Sequence, residues 1–398
     1  MIFLEEKTPY SSAFEKTVRR VSDRIGTQYS CAAVAVVRGE ETLLKFSAGN
    51  RQDYSGTELC HPDPKPITGR TLFDMASVSK LMSTTMVALR LMEDGEFSPY
   101  DSIWRFLDYT GNYNGVELRH LMTHTSGLSP HIPLYNVCAD PAEGIRTILD
   151  SEPLGKPGEQ VRYSCMGYIL FQRILEAIAG APLDKLADEL VFSPLGMKTA
   201  CYNPLSRPDI VDPADPDVAA TELSRHTGYY IRGHVHDENA HFLGGVSGNA
   251  GVFASLDDCV AFAKMLSLRG GIPGGGTFLS RRTFELAIRD HTPGLDEDRG
   301  YGFSLRVNDL SASGEFTTPG SYGHNGYTGT SIYCDALTGV TAVLLTNSVH
   351  YGRDNRGPFF RDRRIFHNVV FAEADRALGF DRFYPGENAP WGSRSVFE

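Results

Sequence analysis

Residues 73–80 read FDMASVSK, and residues 81–92, LMSTTMVALRLM, carry apolar side chains nearly all round a helix. A helix with that pattern is expected to be buried. Ser77 and Lys80 form the only Ser-x-x-Lys of the chain. Because residues three apart share a helix face, the Lys80 ammonium is predicted beside the Ser77 hydroxyl. Burial is predicted to lower the pKa of Lys80, so that the lysine can take the proton of a nucleophilic serine.

A helix that begins at Ser77 would contribute to catalysis in a second way. The free N–H groups and the positive dipole end at its N-terminus stabilise a developing oxyanion. The motif is short, however, and the same residues also suit a helix cap followed by a surface lysine. The interpretation therefore depends on whether further reactive elements follow along the chain.

Tyr163 is the first such element. It lies in Tyr163-Ser164-Cys165, after a Lys-Pro-Gly turn at 156–158 and before a predicted helix over 166–179. A phenol held near Lys80 shares its proton and relays it to a leaving group. The alternative is a packed aromatic ring whose hydroxyl binds a carbonyl oxygen.

The second element is the sequence GHNGYTGT at 323–330, which leads into a predicted strand. Its glycines allow a substrate backbone to approach the strand edge. The N–H groups of Ser77 and Tyr327 are predicted to form an oxyanion hole, and His324, Asn325 and Gly326 are predicted to line the substrate site. The alternative is a glycine-rich entry to a hairpin without any catalytic part.

Four motifs together resemble the group of class C β-lactamases, D-alanyl-D-alanine carboxypeptidases and family VIII esterases: FDMASVSK (73–80), HLMTHTSGL (120–128), YSCMGY (163–168) and GHNGYTGT (323–330). The resemblance implies an acyl-enzyme mechanism in a β-lactamase/transpeptidase-like fold. It gives Ser77 the role of nucleophile and makes Lys80 and Tyr163 an acid/base pair. It places His324 where β-lactamases carry the lysine of Lys-Thr-Gly.

A narrower likeness comes from VHDENA (235–240), LGGVSGNAGVF (243–253) and LTNSVH (345–350). These segments resemble a branch that includes N-acetylmuramyl-L-alanine amidases and penicillin-binding-protein-4B-like hydrolases. That branch implies substrates derived from cell-wall muropeptides.

Two residues depart from the pattern of the wider group. Cys165 stands where many relatives have Asn, so a substrate-binding amide is absent. His324 replaces the lysine that pairs with the carboxylate of an antibiotic, and a histidine is only partly charged near neutral pH. We therefore expect esters and other amides to be better substrates than β-lactams.

The fold is predicted to be α/β (α+β), with an antiparallel sheet flanked by terminal helices and a mainly helical lobe. A helix over 10–25 precedes two strands over 31–37 and 42–48, and strands return after residue 300. Helices are predicted over 77–94, 142–150, 166–179 and 183–190 and after caps at Ser255 and Ser280, and the glycine-rich segment 270–276 is predicted to be a surface loop. Strands are predicted over 301–307, 330–335 and 340–347, and a final helix over 361–377. The predicted domains are a discontinuous α/β domain of residues 1–74 and 292–398 and a mainly helical domain of residues 75–291, with the active site between them.

Composition narrows the classes of partner. The 398 residues have a formal net charge of -11 and a pI near 5.6, with basic residues scattered along the chain, so nucleic acid is not an expected partner. The first residues do not resemble a signal peptide and the apolar runs are too short to span a bilayer, so we expect a cytoplasmic protein without a membrane partner. Seven cysteines without a CxxC pair suit reduced thiols.

The sequence also contains the residue types of two other chemistries. His234, His236 and Asp237, with His241 nearby, contain metal-ligand types, but their spacing matches no standard metal motif, and a hydrogen-bonding role at the cleft is the preferred interpretation. Cys165 paired with His324 is an alternative nucleophile. No cofactor or metal is predicted. Three classes of function remain: a hydrolase, an acyltransferase on the same scaffold, and a non-catalytic sensor of peptidoglycan fragments or β-lactams.

Overall fold

The computed structural model describes residues 2–53, 63–109, 111–113, 115–306, 311–354 and 356–380. The strands are β1 (Ile2–Glu6), β2 (Cys31–Arg38), β3 (Glu41–Gln52), β4 (Asp63–Pro66), β5 (Phe73–Asp74), β6 (Cys201–Tyr202), β7 (Val252–Ala254), β8 (Gly271–Ile272), β9 (Gly276–Thr277), β10 (Ser304–Arg306), β11 (Ser321–Asn325), β12 (Ser331–Cys334) and β13 (Val340–Thr346). The helices are α1 (Glu15–Ser22), α2 (Met86–Glu93), α3 (Leu118–Met122), α4 (Leu134–Val137), α5 (Pro141–Asp150), α6 (Cys165–Ala179), α7 (Leu183–Ala187), α8 (Ser193–Leu195), α9 (Glu238–Phe242), α10 (Leu256–Ser267), α11 (Arg281–Ala287) and α12 (Gly357–Leu378).

The main sheet has the strand order β1-β3-β2-β13-β12-β11-β10, and β4 pairs with β3. Every neighbouring pair along this path is antiparallel. The strands come from both ends of the chain, and β2 lies directly beside β13 at the centre. The predicted antiparallel sheet built from both termini is confirmed.

Both faces of the sheet are buried, which explains the continuous apolar run of β2. Ala33, Ala35 and Val37 face a core that they share with α10. Ala32, Val34 and Val36 face a second core that they share with the terminal helices α1 and α12. The flanking of the sheet by terminal helices is therefore confirmed. Helix α10 lies within the range predicted as the helical domain but packs on the sheet, and the predicted domain boundaries stay a prediction.

Capping explains where two of these helices begin. The Ser255 hydroxyl accepts the Asp258 N–H, while the Asp258 carboxylate accepts the Ser255 N–H, a capping box at the start of α10. The Ser280 hydroxyl accepts the Thr283 N–H at the start of α11. Both caps match the sequence pattern, because they depend only on neighbouring residues.

The structure differs from the sequence prediction at several elements. The helix predicted over 77–94 contains a π-helical segment, Lys80–Thr85, before α2 begins. Strand β11 has no counterpart among the predicted strands, and β10 is shorter than the strand predicted over 301–307, of which Val307 lies outside the described residues. The glycine-rich segment 270–276 forms much of the β8–β9 hairpin.

Two further observations concern the cysteines and the helices of the described residues. Each cysteine that the structure describes is a free thiol, and Cys60 lies outside that part of the chain. Across the described ranges, we find no helix that combines the length and the apolar character needed to cross a membrane.

Candidate active site

Ser77 follows the short strand β5, which pairs with one neighbouring strand and whose last residue caps the turn. Strand β5 pairs with β7, and the Asp74 carboxylate accepts the Ala76 N–H at 2.8 Å. Ala76 has φ of 47°, a left-handed conformation that L-residues with a side chain rarely adopt. This turn presents Ser77 at the start of the helix; the next three N–H groups bond carbonyl oxygens of residues 75–77, whereas the Ser77 N–H has no acceptor among the described residues.

Lys80 is fully buried beside Ser77. Its ammonium donates to Ser77 Oγ at 3.1 Å and to the carbonyl oxygen of Asn249 at 2.8 Å, and it lies 3.5 Å from Cys165 Sγ. The predicted contact between the lysine and the serine is therefore present.

The pKa of Lys80 corrects the sequence prediction. Burial lowers it, as expected, but the nearby Cys165 and Tyr163 side chains outweigh burial and raise the pKa above its ordinary value. The sequence prediction rested on desolvation alone: it placed the Tyr163 phenol near Lys80 without including its effect on the pKa of Lys80, and it did not place Cys165 beside the lysine.

Tyr163 lies immediately before α6, in the same cleft. The Lys80 ammonium is 5.0 Å from the centroid of its ring, and the ring packs against His124 with centroids 4.4 Å apart. The Tyr163 hydroxyl is buried and has no hydrogen-bond partner among the described residues. The Tyr163 ring therefore lies beside the lysine, but the predicted hydrogen bond between its hydroxyl and Lys80 is not among the contacts of the described residues.

The loop after β11 is tied to the turn that precedes Ser77. Thr328 Oγ1 donates to the carbonyl oxygen of Asp74 at 2.7 Å, and Thr330 Oγ1 donates to that of Met75 at 3.0 Å. Within the described part of the chain, neither the Ser77 amide nor the Tyr327 amide has a hydrogen-bond acceptor. Both N–H groups are therefore available for an oxyanion.

His324 is buried and uncharged at neutral pH. Desolvation, together with the charges of Lys80 and Arg299, lowers its pKa to about 3. Its Nδ1 lies 2.9 Å from the carbonyl oxygen of Asn325, whose side-chain oxygen accepts the Tyr333 hydroxyl at 3.0 Å. At this position the site therefore lacks the cation that a lysine supplies.

Cys165 occupies the first position of α6, and its side chain is partly exposed. Its sulfur is close to the Lys80 ammonium. The Nδ1 atom of His324, in contrast, contacts the backbone carbonyl oxygen of Asn325. The described contacts thus place the thiol against the lysine rather than in a pair with the histidine.

Two residues of the site were missed by sequence reasoning. His124 is fully buried behind Tyr163, accepts the Ser164 N–H at its Nδ1 (3.1 Å), and has φ of 59°. Arg299 lies over the Tyr163 ring at 5.5 Å. Burial and the charge of Arg299 hold the pKa of His124 well below its ordinary value. The HTSG sequence around His124 predicts no role for this histidine, and no local pattern marks Arg299.

His236 has a hydrogen-bonding role beside the cleft. Its backbone N–H donates to Asp74 at 2.7 Å, its ring nitrogen is 2.9 Å from Glu222, and its ring stacks on Tyr327 with centroids 5.9 Å apart. Burial raises the pKa of the Glu222 carboxylate, but hydrogen bonds from His236 and Arg353 outweigh burial and lower this pKa to about 2. The described residues contain no group of three or more His, Cys, Asp or Glu side chains placed to hold a metal ion.

Comparison with known proteins assigns the family. A family model described as Beta-lactamase matches residues 14–364. The chain belongs to the β-lactamase family. A protein of Escherichia coli K12, provisionally named D-alanyl-D-alanine carboxypeptidase, is 27% identical over 383 residues, which cover 87% of this chain and 86% of the relative. This member of the β-lactamase family is therefore a serine hydrolase.

Solved structures share the fold of this β-lactamase-family protein at low sequence identity. EstCE1, a hydrolase with promiscuous acyltransferase activity, is 22% identical with a TM-score of 0.67, over 89% of this chain and 98% of that one. The LovD6 mutant of simvastatin synthase from Aspergillus terreus is 20% identical with a TM-score of 0.69, over 92% and 96% of the two chains.

Proposed function

We propose that this serine hydrolase cleaves ester or amide bonds through an acyl-enzyme on Ser77. The observation that carries the proposal is the contact of 3.1 Å between the fully buried Lys80 ammonium and Ser77 Oγ. A buried lysine costs free energy unless it is paired. Here it is directed at a hydroxyl whose own amide is free, an arrangement that suits a nucleophile better than a structural serine.

The reaction follows from the positions of these groups. Ser77 Oγ attacks the substrate carbonyl, and the Lys80–Tyr163 pair takes the serine proton. The N–H groups of Ser77 and Tyr327 bind the oxyanion of the tetrahedral intermediate. The same pair then donates the proton to the leaving group, and the free Tyr163 hydroxyl is the donor. Water, activated by the pair, finally releases the acid and restores Ser77.

The residues around the nucleophile favour particular substrates. His324 is neutral, so its side chain brings no positive charge for a substrate carboxylate. Cys165 supplies no amide for a peptide-like acyl group. These two features support small esters and amides over β-lactams as substrates. The likeness to muropeptide amidases, and the name of the Escherichia coli relative, support cell-wall fragments as one class of amide.

The decisive experiment compares Ser77→Ala with the wild-type protein on p-nitrophenyl butyrate. The wild type should show a burst of nitrophenolate, and mass spectrometry should find an acyl adduct on the peptide that contains Ser77. Ser77→Ala should abolish both, while Ser98→Ala, at an exposed serine, should retain both. Turnover by Ser77→Ala at the wild-type rate would refute the assignment.

The same assay separates the remaining alternatives. Nitrocefin and a muramyl-tripeptide, added in place of the ester, test β-lactams and cell-wall amides. Added methanol tests acyl transfer, the second activity in the name of EstCE1. A methyl ester product that outcompetes the free acid would assign the protein as an acyltransferase.

A further inference from the structure

Tyr327 is held differently from its neighbours in the loop after β11. Residues 326 and 328–330 all take part in hydrogen bonds through their backbone groups. Neither the N–H nor the carbonyl oxygen of Tyr327 has a partner among the described residues. In the same part of the chain, the peptide that carries this N–H is bonded only through the Gly326 carbonyl oxygen. Gly329 donates to that oxygen at 3.3 Å, longer than a usual N–H···O bond. The backbone alone therefore holds the Tyr327 amide weakly.

Two buried side chains contact the Tyr327 ring. The His236 ring stacks on it with an interplanar angle of 22° and centroids 5.9 Å apart, within the range of aromatic pairs. Arg356 Cζ lies 4.3 Å from the same centroid. Tyr327 is 45% exposed, so its ring is not enclosed in a core, and these contacts restrict its rotation.

His236 is fixed at both its backbone and its ring. Its backbone N–H donates to Asp74 Oδ2 at 2.7 Å, and its Nε2 is 2.9 Å from Glu222 Oε2. Arg353 Nε donates in turn to Glu222 Oε1 at 3.0 Å. His236 and Glu222 are each 5% exposed. A buried imidazole in such a network is a rigid support for the ring that stacks on it.

The Asp74 carboxylate also holds the turn before Ser77. Its Oδ1 accepts the Ala76 N–H at 2.8 Å, while its Oδ2 accepts the His236 N–H. His236 therefore joins the two sides of the proposed oxyanion hole. Its backbone is tied to the turn that carries Ser77, and its ring contacts Tyr327.

We propose that His236 is a positioning residue, which fixes the Tyr327 N–H relative to the Ser77 N–H. This inference rests on the proposed acyl-enzyme reaction, in which both N–H groups bind the oxyanion. In this role His236 acts through the Tyr327 ring and needs no contact with the substrate. Its effect is expected in tetrahedral states, because the oxyanion forms only there.

The test compares His236→Ala with the wild-type protein by two measurements. One is the rate of acylation by p-nitrophenyl butyrate, and the other is the affinity for butylboronic acid, whose boron becomes tetrahedral when it binds Ser77 Oγ. Loss of an oxyanion donor costs about 10²–10³-fold in rate, and a displaced donor keeps part of its effect. Both quantities should therefore fall by about tenfold or more in His236→Ala.

A conservative variant separates stacking from a general defect of the fold. His236→Phe keeps an aromatic ring for Tyr327 and the backbone N–H for Asp74, so it should recover most of the lost boronate affinity. His226→Ala, at an exposed histidine, is the matched control and should bind boronate as the wild type does. Losses in His236→Phe as large as those in His236→Ala would contradict the stacking role.

A double-mutant cycle with Tyr327→Ala identifies the route of the effect. Tyr327→Ala keeps the N–H but removes the ring, and should weaken boronate to a similar extent. If His236 acts through that ring, adding His236→Ala to Tyr327→Ala causes no further loss. A histidine that only stabilises the fold would instead give losses that add, and this result would overturn the proposal.

The positioning role and the acyl-enzyme reaction fail in different ways. A wild-type burst with an adduct on Ser77, together with unchanged boronate affinity in His236→Ala, would refute the positioning role alone. Absence of both the burst and boronate binding in the wild type would refute the two proposals together.

Discussion

Gly326 lies against the carbonyl oxygen of Met75, so close that a Cβ atom on the glycine would be 2.5 Å from that oxygen. The same Cβ would be 3.2 Å from the Cβ of Ala76, the residue before Ser77. The loop that carries Tyr327 and the turn that carries Ser77 therefore meet at a position that only glycine fits. Their spacing sets the distance between the two free amides.

Gly326→Ala should force the loop away from the turn. We expect a loss of about 1–3 kcal/mol in the free energy of unfolding from overpacking. We also expect kcat/KM to fall by about a hundredfold, because a displacement near 1 Å of a catalytic group has that effect. Chemical denaturation and ester turnover measure the two quantities.

The control for this variant is Gly155→Ala. An added Cβ at Gly155 meets no atom within 4 Å, and its φ lies outside the left-handed region. Both the stability and the turnover of Gly155→Ala should match the wild type. Equal turnover by Gly326→Ala would contradict the role given to the Tyr327 loop.

His367 makes the fold sensitive to acid. It is fully buried on α12, its Nε2 is 3.0 Å from Ser331 Oγ, and burial with the charge of Arg363 lowers its pKa to about 3. The unfolded chain therefore takes up a proton near pH 6.5, while the folded protein takes it up only near pH 3. Stability from this group is complete above pH 6.5 and is lost as the pH falls towards 3.

Replacing His367 by Gln should reduce this dependence. Between pH 6 and pH 4, the slope of the unfolding free energy should decrease by about 1.4 kcal/mol per pH unit, the contribution of one proton. Denaturant titrations across this range measure the slope. His226→Gln, at an exposed histidine, should leave it unchanged, and an unchanged slope in His367→Gln would contradict the account of its burial.

The parts predicted from the sequence are those set by local geometry. Ser77 and Lys80 are three residues apart at the start of a helix, and their contact needs no information from the rest of the chain. The apolar run of β2 and the capping box of Ser255 are equally local. Motifs of this kind also carried the resemblance that the family match has confirmed.

The parts that were missed depend on residues from distant segments. Arg299 reaches the Tyr163 ring from the region before β10, and no pattern around Arg299 marks this approach. The direction of the Lys80 pKa shift depends on Cys165 as well as on Tyr163, and only Tyr163 was placed near the lysine by its sequence motif. Such convergence is a property of packing and could not be predicted from periodicity.

Lys80→Ala should leave Ser77 without its proton acceptor. We expect acylation to slow by about a hundredfold or more, as is usual for loss of an acid/base group. In the wild type, the raised pKa of Lys80 means that the Lys80–Tyr163 pair must lose a proton before it can act as a base. kcat/KM for an ester should therefore rise with pH between 7 and 9.

Stopped-flow measurement of the burst phase across this pH range tests both expectations. Lys156→Ala is the matched control, because the Lys156 side chain is 83% exposed and lies outside the cleft. Its burst should have the wild-type rate and the wild-type pH dependence. A burst in Lys80→Ala as fast as that of the control would remove the lysine from the mechanism.

The free hydroxyl of Tyr163 gives the mechanism a test that depends on the leaving group. If this hydroxyl protonates the departing oxygen, its removal matters only for leaving groups that cannot depart as anions. Tyr163→Phe should slow ethyl butyrate by about a hundredfold or more, within the range for general acid catalysis. The effect on p-nitrophenyl butyrate should be much smaller, because nitrophenolate departs without a proton.

Tyr229→Phe, at an exposed tyrosine, should change neither rate. Equal losses on both esters would mean that Tyr163 positions Lys80 without transferring a proton to the leaving group.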